Sequence, residues 1–534
     1  MSETDHRSAP RRQASDIVPI DWRAGRVAAF GVAATRRIEA DALAGLAPFT
    51  LMARAGEAVA RLALALAPHA RRIAVFAGPG NNGGDGIEAA LRLHAWGKAV
   101  SVRRTASPTA PPADAAQALA RARAAGIAIG DLDDADAPDA HEGVDLAIDA
   151  LLGIGVSRPP EGALAAAIAR LAALAARGAH VLAVDVPSGL DADRGQPIGS
   201  ACVVADDTLT LIAPKPGLFT AAGRDHAGRI WCAGLGVDGT DRDADAWLVG
   251  SDDPSCAPER RRQASHKGSF GDVAVVGGAP GMAGAAWLAA RAAHAAGAGR
   301  VFVDLLRNAG AVVRNEPRDS AGANEVDPLR PELMHRRGWS EGDAAAIAAT
   351  TVVCGCGGGD AVRSVLPRLL SIAPRLVLDA DALNAIAADA ALLALTAARA
   401  ARGHGTVLTP HPLEAARLLE RSAGAVQADR LAAARDLARR CSAVVVLKGS
   451  GTVIADIDGP PRISLTGNAA LASAGTGDVL AGWIGGRWAA LGASALDAAT
   501  RGVIEHGAAA EPERPGALRA GDLVEALHRR ARSR

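Results

Sequence analysis

Tyrosine is absent from the 534 residues, and aromatic side chains make up only 3% of them, so Ala, Leu, Val and Gly must fill the cores. Lysine is nearly missing too: four of the 58 basic residues, Lys98, Lys215, Lys267 and Lys448. A chain this biased towards arginine keeps lysine where a compact ammonium suits better than a planar fork. Net charge is also lacking, because 58 acidic residues balance the 58 basic ones. This leaves no footprint for nucleic acid or an acidic membrane surface. The six cysteines are sparse, and Cys354-Gly-Cys356 has no second Cys/His pair nearby at zinc spacing, which favours a small-residue strand end and a reducing, cytoplasmic compartment. No uncharged apolar run reaches the roughly 18 residues of a membrane span. Arg11-Arg12 is not followed by the apolar region of a targeting signal.

What is present is apolar and glycine-rich: 49% hydrophobic, 22% charged and 60 glycines. Such a chain buries sizeable cores and makes many tight turns. Length alone suggests three or four domains of roughly 150 residues, but the pattern resolves two. Residues 1–24 read as a polar, irregular tail, and 35–66 as helix, with Leu43, Leu46, Leu51, Val59 and Leu62 at helical spacing. Short apolar runs (72–77, 146–150, 180–184, 208–212) then alternate with Ala-rich helical stretches (113–125, 164–177). The pattern fades between Gly236 and Gln263 and restarts with runs at 272–276, 300–304, 351–354, 375–379, 406–408 and 443–447. Alternating strands and helices predict βαβ units on mostly parallel sheets. Two α/β domains are expected, over 25–240 and 245–534.

In the first half, strand 73–77 feeds a glycine loop, 78–86, and then a helix to about Trp96. Glycines let the backbone approach a ligand, and a helix start favours an anion by about 0.3–1 kcal/mol at a surface, which places a phosphate without explaining affinity. Gly78-Pro79-Gly80-Asn81-Asn82-Gly83 satisfies GxGxxG, yet the acidic residue of a dinucleotide site is replaced by the basic stretch 98–104. Asp149 and Asp185 end two further strands and are expected to converge with Asp85 at the carboxyl edge of the sheet. Asn82, Asp149 and Ser188 offer hard oxygen ligands for a cation, leaving Asp185 free for proton transfer. Helix capping is the alternative role for any one of these groups.

With GPGNNGGDG, DALLGIG, DVPSGLDAD and LIAPKPGL (holding Lys215) in order, residues 25–240 resemble the NAD(P)H-hydrate epimerase domain. The resemblance implies a Rossmann-like three-layer fold acting on the hydrates NADHX and NADPHX. It carries substrate contacts onto Asn81, Asn82, Gly83, Gly84 and Asp85, and onto Gly153, Ile154, Gly155, Val156, Ser157, Arg158 and Pro159. It also implies a potassium ion held by Asn82, Asp149 and Ser188, with Asp185 catalytic and facing the substrate.

The second half has no GxxxxGK[ST], so it is not a P-loop NTPase. Gly475-Thr476-Gly477-Asp478 reads as a turn entering a helix, an anion hole with Asp478 at its mouth. A carboxylate there can take a proton from a hydroxyl, a role worth roughly 10²–10⁴ in rate; a plain helix cap is the alternative. Asp379, Asp381 and Asn384, then His411 and Glu414, then Lys448 to Thr452 each follow a strand.

With HKGSFG, GMAGAA, LDADALN, LTPHP, LKGSGT and GTGDVLAG in order, residues 245–534 resemble ribokinase-like small-molecule kinases, and more closely the ADP-dependent NAD(P)H-hydrate dehydratase domain. The resemblance implies that ADP, with magnesium, phosphorylates the C6 hydroxyl of the S-hydrate, and that phosphate then leaves to give NAD(P)H and AMP. It places the nucleotide on Lys448, Gly449, Ser450, Gly451, Thr452 and Gly477. The hydrate falls to Ala285, Gly357, His411 and Asp478, with Asp478 the base. Three departures stand out: Gly355-Cys356-Gly357-Gly358-Gly359 for the family's glycine-proline-glycine-leucine-glycine, Leu413 for glycine, and Ala469-Ala470 for proline-glycine. The expectation is a fused repair enzyme, a cytoplasmic homo-oligomer with no nucleic-acid or membrane partner, whose first domain supplies the S epimer. The alternative is a small-molecule kinase with a nucleotide-binding accessory domain.

Overall fold

The computed structural model describes residues 16–105, 110–132, 143–237, 243–258, 261–307, 327–511 and 516–533. Residues 1–15 of the expected tail, and 238–242 and 259–260 of the charged stretch between the halves, lie outside the described residues. The chain divides into two compact units: Ala28–Asp245 with the residues up to Asp21, and Ala246–Arg534 with Trp22–Val27.

The first unit carries an eight-stranded sheet in the order Ile17–Pro19, Arg229–Ala233, Asp207–Leu211, His180–Val184, Leu146–Ala150, Arg72–Ala77, Ala99–Arg104, Ala128–Asp131. Every pairing is parallel except that of Ile17–Pro19, which lies antiparallel on Arg229–Ala233. The central strands are buried on both faces, as continuous apolar runs require. Successive residues of Arg72–Ala77 serve opposite cores, Val75 packing with Val59 and Leu93, Phe76 with Ile168 and Leu171.

Three expectations change here. The irregular tail gives way to a strand at Ile17–Pro19. The single helix over 35–66 is two, Val32–Leu43 and Thr50–Leu66. Pro48 cannot donate and disfavours a helical Ala47, and Phe49 turns to φ 68°. The glycine loop shrinks to 78–80, because the helix Asn81–Ala95 already begins at Asn81. A Cβ on Gly83 would lie 2.0 Å from the Gly78 carbonyl, and one on Gly86 2.4 Å from Ala150 Cβ. The glycine run thus seats the helix directly on the strand ends.

The second unit carries an eleven-stranded sheet, ordered Met334–His335, Arg300–Leu305, Asp272–Gly277, Thr351–Cys354, Arg375–Leu378, Gly405–Leu408, Val444–Leu447, Val453–Ala455, Arg462–Ser464, Ala246–Val249, Arg26–Ala29. The first seven are mutually parallel, and Val453–Ala455 and Arg462–Ser464 turn back antiparallel. Helix Thr476–Leu491 packs on the Ala-rich helix Ala283–Ala295 through bare backbone: Cβ atoms on Gly482 and Gly486 would meet the carbonyls of Ala289 and Ala293 at 2.0 and 2.3 Å. Among the described residues no single helix is long and apolar enough to cross a membrane.

Candidate active sites

In the first unit, the strand ends and the start of helix Asn81–Ala95 open into a cleft of about 460 Å³. Asn81, Asn82, Asp85, Gly153, Ile154, Gly155, Val156 and Asp185 line it, as the sequence suggested. No side chain caps the helix start, which leaves its first N–H groups to a ligand. Gly83 and Gly84 are buried and not part of the wall, and Ser157, Arg158 and Pro159 are exposed beyond it. Thr35, Arg36 and Glu39 on helix Val32–Leu43 also line the cleft and were not foreseen, because they lie far in sequence from the strand-end motifs.

Asp185 follows strand His180–Val184 with φ 68°, a strained conformation for a residue with a side chain. Its Oδ1 accepts from Lys215 Nζ at 2.5 Å and from the Leu211 N–H at 3.2 Å. The same ammonium donates to the Leu211 carbonyl at 2.6 Å. Lys215 is 1% exposed, one of the largest fully buried side chains in the chain. Burial and the charge of Asp185 push the Glu39 carboxyl up from its ordinary value. Burial, with Asp185, Glu39 and Asp114 nearby, pushes Asp85 well above its own.

Asp149 lies beneath this wall. Its oxygens accept from Ser188 Oγ at 2.6 Å, the Ser188 N–H at 2.8 Å and the Leu151 N–H at 3.2 Å. Burial raises its pKa to about 6 against the pull of those bonds. Neither Asp149 nor Asp185 caps a helix. Asn82 Nδ2 is buried without a hydrogen-bond partner. The buried Asp149 carboxylate, whose hydrogen bonds come from neutral donors only, the Ser188 hydroxyl and the Asn82 amide oxygen are the oxygen types that suit a hard cation, whereas the unpartnered Asn82 Nδ2 is a donor and suits an acceptor.

In the second unit, Lys448 closes the edge of strand Val444–Leu447 and donates to Asp379 Oδ1 at 2.8 Å; Thr409 Oγ1 reaches the same oxygen at 2.7 Å. Burial alone would push the ammonium down, but Asp379 and Glu414 outweigh it and hold Lys448 above its ordinary value. Buried Arg430 braces the following loop by donating to the carbonyls of Leu447 and Lys448 at 3.1 and 3.3 Å. Gly449 has φ 136°, and a Cβ there would lie 3.0 Å from that guanidinium, so the loop needs glycine.

Helix Thr476–Leu491 starts at Gly475 with no side-chain cap, and the Gly477 backbone abuts Lys448, whose Nζ would be 3.3 Å from an added Cβ. Asp478 therefore does not act as the cap. It shares a cluster with Cys356 and Asp379 in which one side-chain donor atom from each lies within 4.8 Å of the others. Burial and the charge of Asp379 push its carboxyl up to about 6. Gly357 backs onto Ala285, whose Cβ would be 3.0 Å from an added one. His411 caps helix Pro412–Leu419, its Nδ1 accepting from the N–H groups of Leu413 and Glu414 at 3.1 and 3.3 Å. Sequence reasoning missed His506, buried behind the start of helix Thr476–Leu491, where Nε2 meets the Thr476 carbonyl at 2.9 Å.

Each unit thus joins a strand-end aspartate, a lysine and an uncapped helix start, the equipment of an α/β enzyme with two separate anion-directed sites. Residues 48–217 match the model of the YjeF-related protein N-terminus, and 273–528 that of NAD(P)H-hydrate dehydratase. The chain is 37% identical over 490 residues to the bifunctional NAD(P)H-hydrate repair enzyme Nnr of Escherichia coli K12, covering 89% of this chain and 87% of the relative. It is 38% identical over 485 residues to the enzyme of that name from Moorella thermoacetica, covering 86% and 87%. A solved structure, the ADP/ATP-dependent NAD(P)H-hydrate dehydratase from Bacillus subtilis co-crystallized with ATP/Mg2+, is 29% identical and covers 52% of this chain and 94% of its own, at a TM-score of 0.42. The chain belongs to the bifunctional NAD(P)H-hydrate repair enzymes, an epimerase and a dehydratase in one polypeptide. Its first unit has the strand order of a Rossmann-like sheet and its second is an α/β unit on a mostly parallel sheet; the reading as a small-molecule kinase with an accessory domain is not favoured.

Proposed function

We propose that the first cleft binds NADHX and NADPHX and interconverts their R and S epimers, with Asp185 catalytic. The second site then dehydrates the S epimer with ADP as phosphoryl donor. The pairing of a strand-end aspartate with a lysine at each site (Asp185 with Lys215, Asp379 with Lys448) supports this reading most directly. Asn81, Asn82, Gly83, Gly84 and Asp85 present the helix start to the dinucleotide, and residues 153–159 form the opposing loop. Asn82, Asp149 and Ser188 would hold potassium, whose charge offsets the buried carboxylate.

In the second unit Lys448, Gly449, Ser450, Gly451, Thr452 and Gly477 hold the ADP phosphates. Magnesium, when bound, neutralises phosphate charge. Ala285, Gly357 and His411 flank the hydrate, and Asp478 takes the C6 hydroxyl proton as the phosphoryl group arrives. Phosphate then leaves C6 while C5 gives up a proton, restoring the ring double bond. A cytoplasmic homo-oligomer completes the reading; the six free thiols fit a reducing compartment.

Mixed hydrates incubated with ADP or ATP test it: reduced-nicotinamide absorbance returns, with AMP and phosphate when ADP is the donor. A stable phosphorylated product without that absorbance rejects the dehydratase role.

A further inference from the structure

The first cleft holds more acid than the proposed chemistry uses, and the inference here rests on its reading as an epimerase. Glu39, half-buried on helix Val32–Leu43, lines the same cleft as Asp185 and Lys215, which come from the strand ends. Arg36, Asp85 and Asp114 are the other charged groups on that wall. Asp185 accepts hydrogen bonds from both Lys215 and Leu211, which fix its carboxylate in the wall. Burial and the Asp185 charge push Glu39 towards its neutral acid, against the pull of Lys215 and Arg36.

Inverting C6 of the hydrate breaks a C–O bond on one face and makes one on the other. Protonation lets the hydroxyl depart as water while the N1 lone pair forms a C6–N1 double bond. A second water adds from the opposite face and loses a proton. The exchange needs an acid and a base on different supports. We infer that Glu39 is a second catalytic residue of the epimerase cleft, giving its proton to the departing C6 hydroxyl while Asp185 takes one from the incoming water. Solvent returns the proton from Asp185 to Glu39 between turnovers, and in the reverse direction the two exchange roles.

The test uses the full chain and purified R-hydrate. Glu39→Gln slows R-to-S conversion by about 10²-fold or more, and Glu39→Asp restores part of it. The wild-type rate falls as rising pH strips the proton from Glu39, and that fall disappears in the residual activity of Glu39→Gln. Dehydration of supplied S-hydrate by the same variant stays at the wild-type rate, which reports an intact second unit, and an unchanged melting curve reports the fold of the first. In ¹⁸O-water the wild-type product carries the label at C6. Glu39→Gln within about threefold of wild type, while Asp185→Asn is inactive, overturns the assignment. Retention of the original oxygen overturns the exchange step. A wild-type chain with no R-to-S activity overturns the epimerase reading instead.

Discussion

Lys215 spends its buried ammonium on Asp185, 2.5 Å away, inside a wall where the lysine is 1% exposed and the aspartate 12%. The pair stands at the end of strand His180–Val184, one of the few places where this chain uses lysine rather than arginine. A guanidinium would be too broad for a slot that also meets the Leu211 carbonyl.

Lys215→Met strands the Asp185 carboxylate. Breaking a buried pair costs about 3–5 kcal/mol, the lower end applying because Asp185 opens to the cleft. A lower melting temperature and loss of R-to-S conversion are expected, with S-hydrate dehydration kept. An unchanged melting curve would show that the pair contributes nothing.

Burial and the charge of Asp379 push the Asp478 carboxyl up to about 6. A base works only when deprotonated, so dehydration should rise about tenfold per pH unit below 6 and level off above it. Asp478→Asn should lower turnover by roughly 10²–10⁴ while ADP still binds. A flat rate between pH 5 and 7 contradicts the assignment.

Asp149 favours its protonated form in the fold, with a pKa of about 6. Without a cation its contribution to stability is present at low pH and is lost as pH rises through that value. Potassium should therefore raise the melting temperature more at pH 7 than at pH 4. Asp149→Asn should respond equally little at both, a comparison thermal scans with and without the salt provide.

His506 is held neutral by burial, with its pKa pushed down to about 4, while Nε2 meets the Thr476 carbonyl. Its unfolded value is higher, so its contribution is present above about pH 6.5 and lost as pH falls towards 4. His506→Gln keeps a donor and removes the titration. Its melting temperature should fall less steeply over that range than the wild type's.

The central strands were readable because apolar runs buried on both faces need no alternation to declare themselves; most boundaries shift by at most a residue. The short strands Ile17–Pro19 and Arg462–Ser464 were hidden, since three residues carry too little pattern. The start of helix Asn81–Ala95 was misread because glycine, a poor helix former, is placed there for close packing. Of the sites, the strand-end loops were legible as motifs. Glu39 and His506 were not, because each reaches its cleft or turn through the fold from a helix with no motif of its own.

The short segment Trp22–Val27, which belongs with the second unit although it interrupts the first in sequence, limits how the polypeptide can be divided. Cutting the gene at the apparent junction near Asp245 would strip the dehydratase half of the strand Arg26–Ala29 at its sheet margin, and of the Arg26 guanidinium that grips Asp253 at 2.9 and 3.0 Å. The freed margin of Ala246–Val249 would then offer unpaired backbone to any neighbouring chain. A stand-alone dehydratase is better made by circular permutation or by grafting residues 22–29 back than by simple truncation.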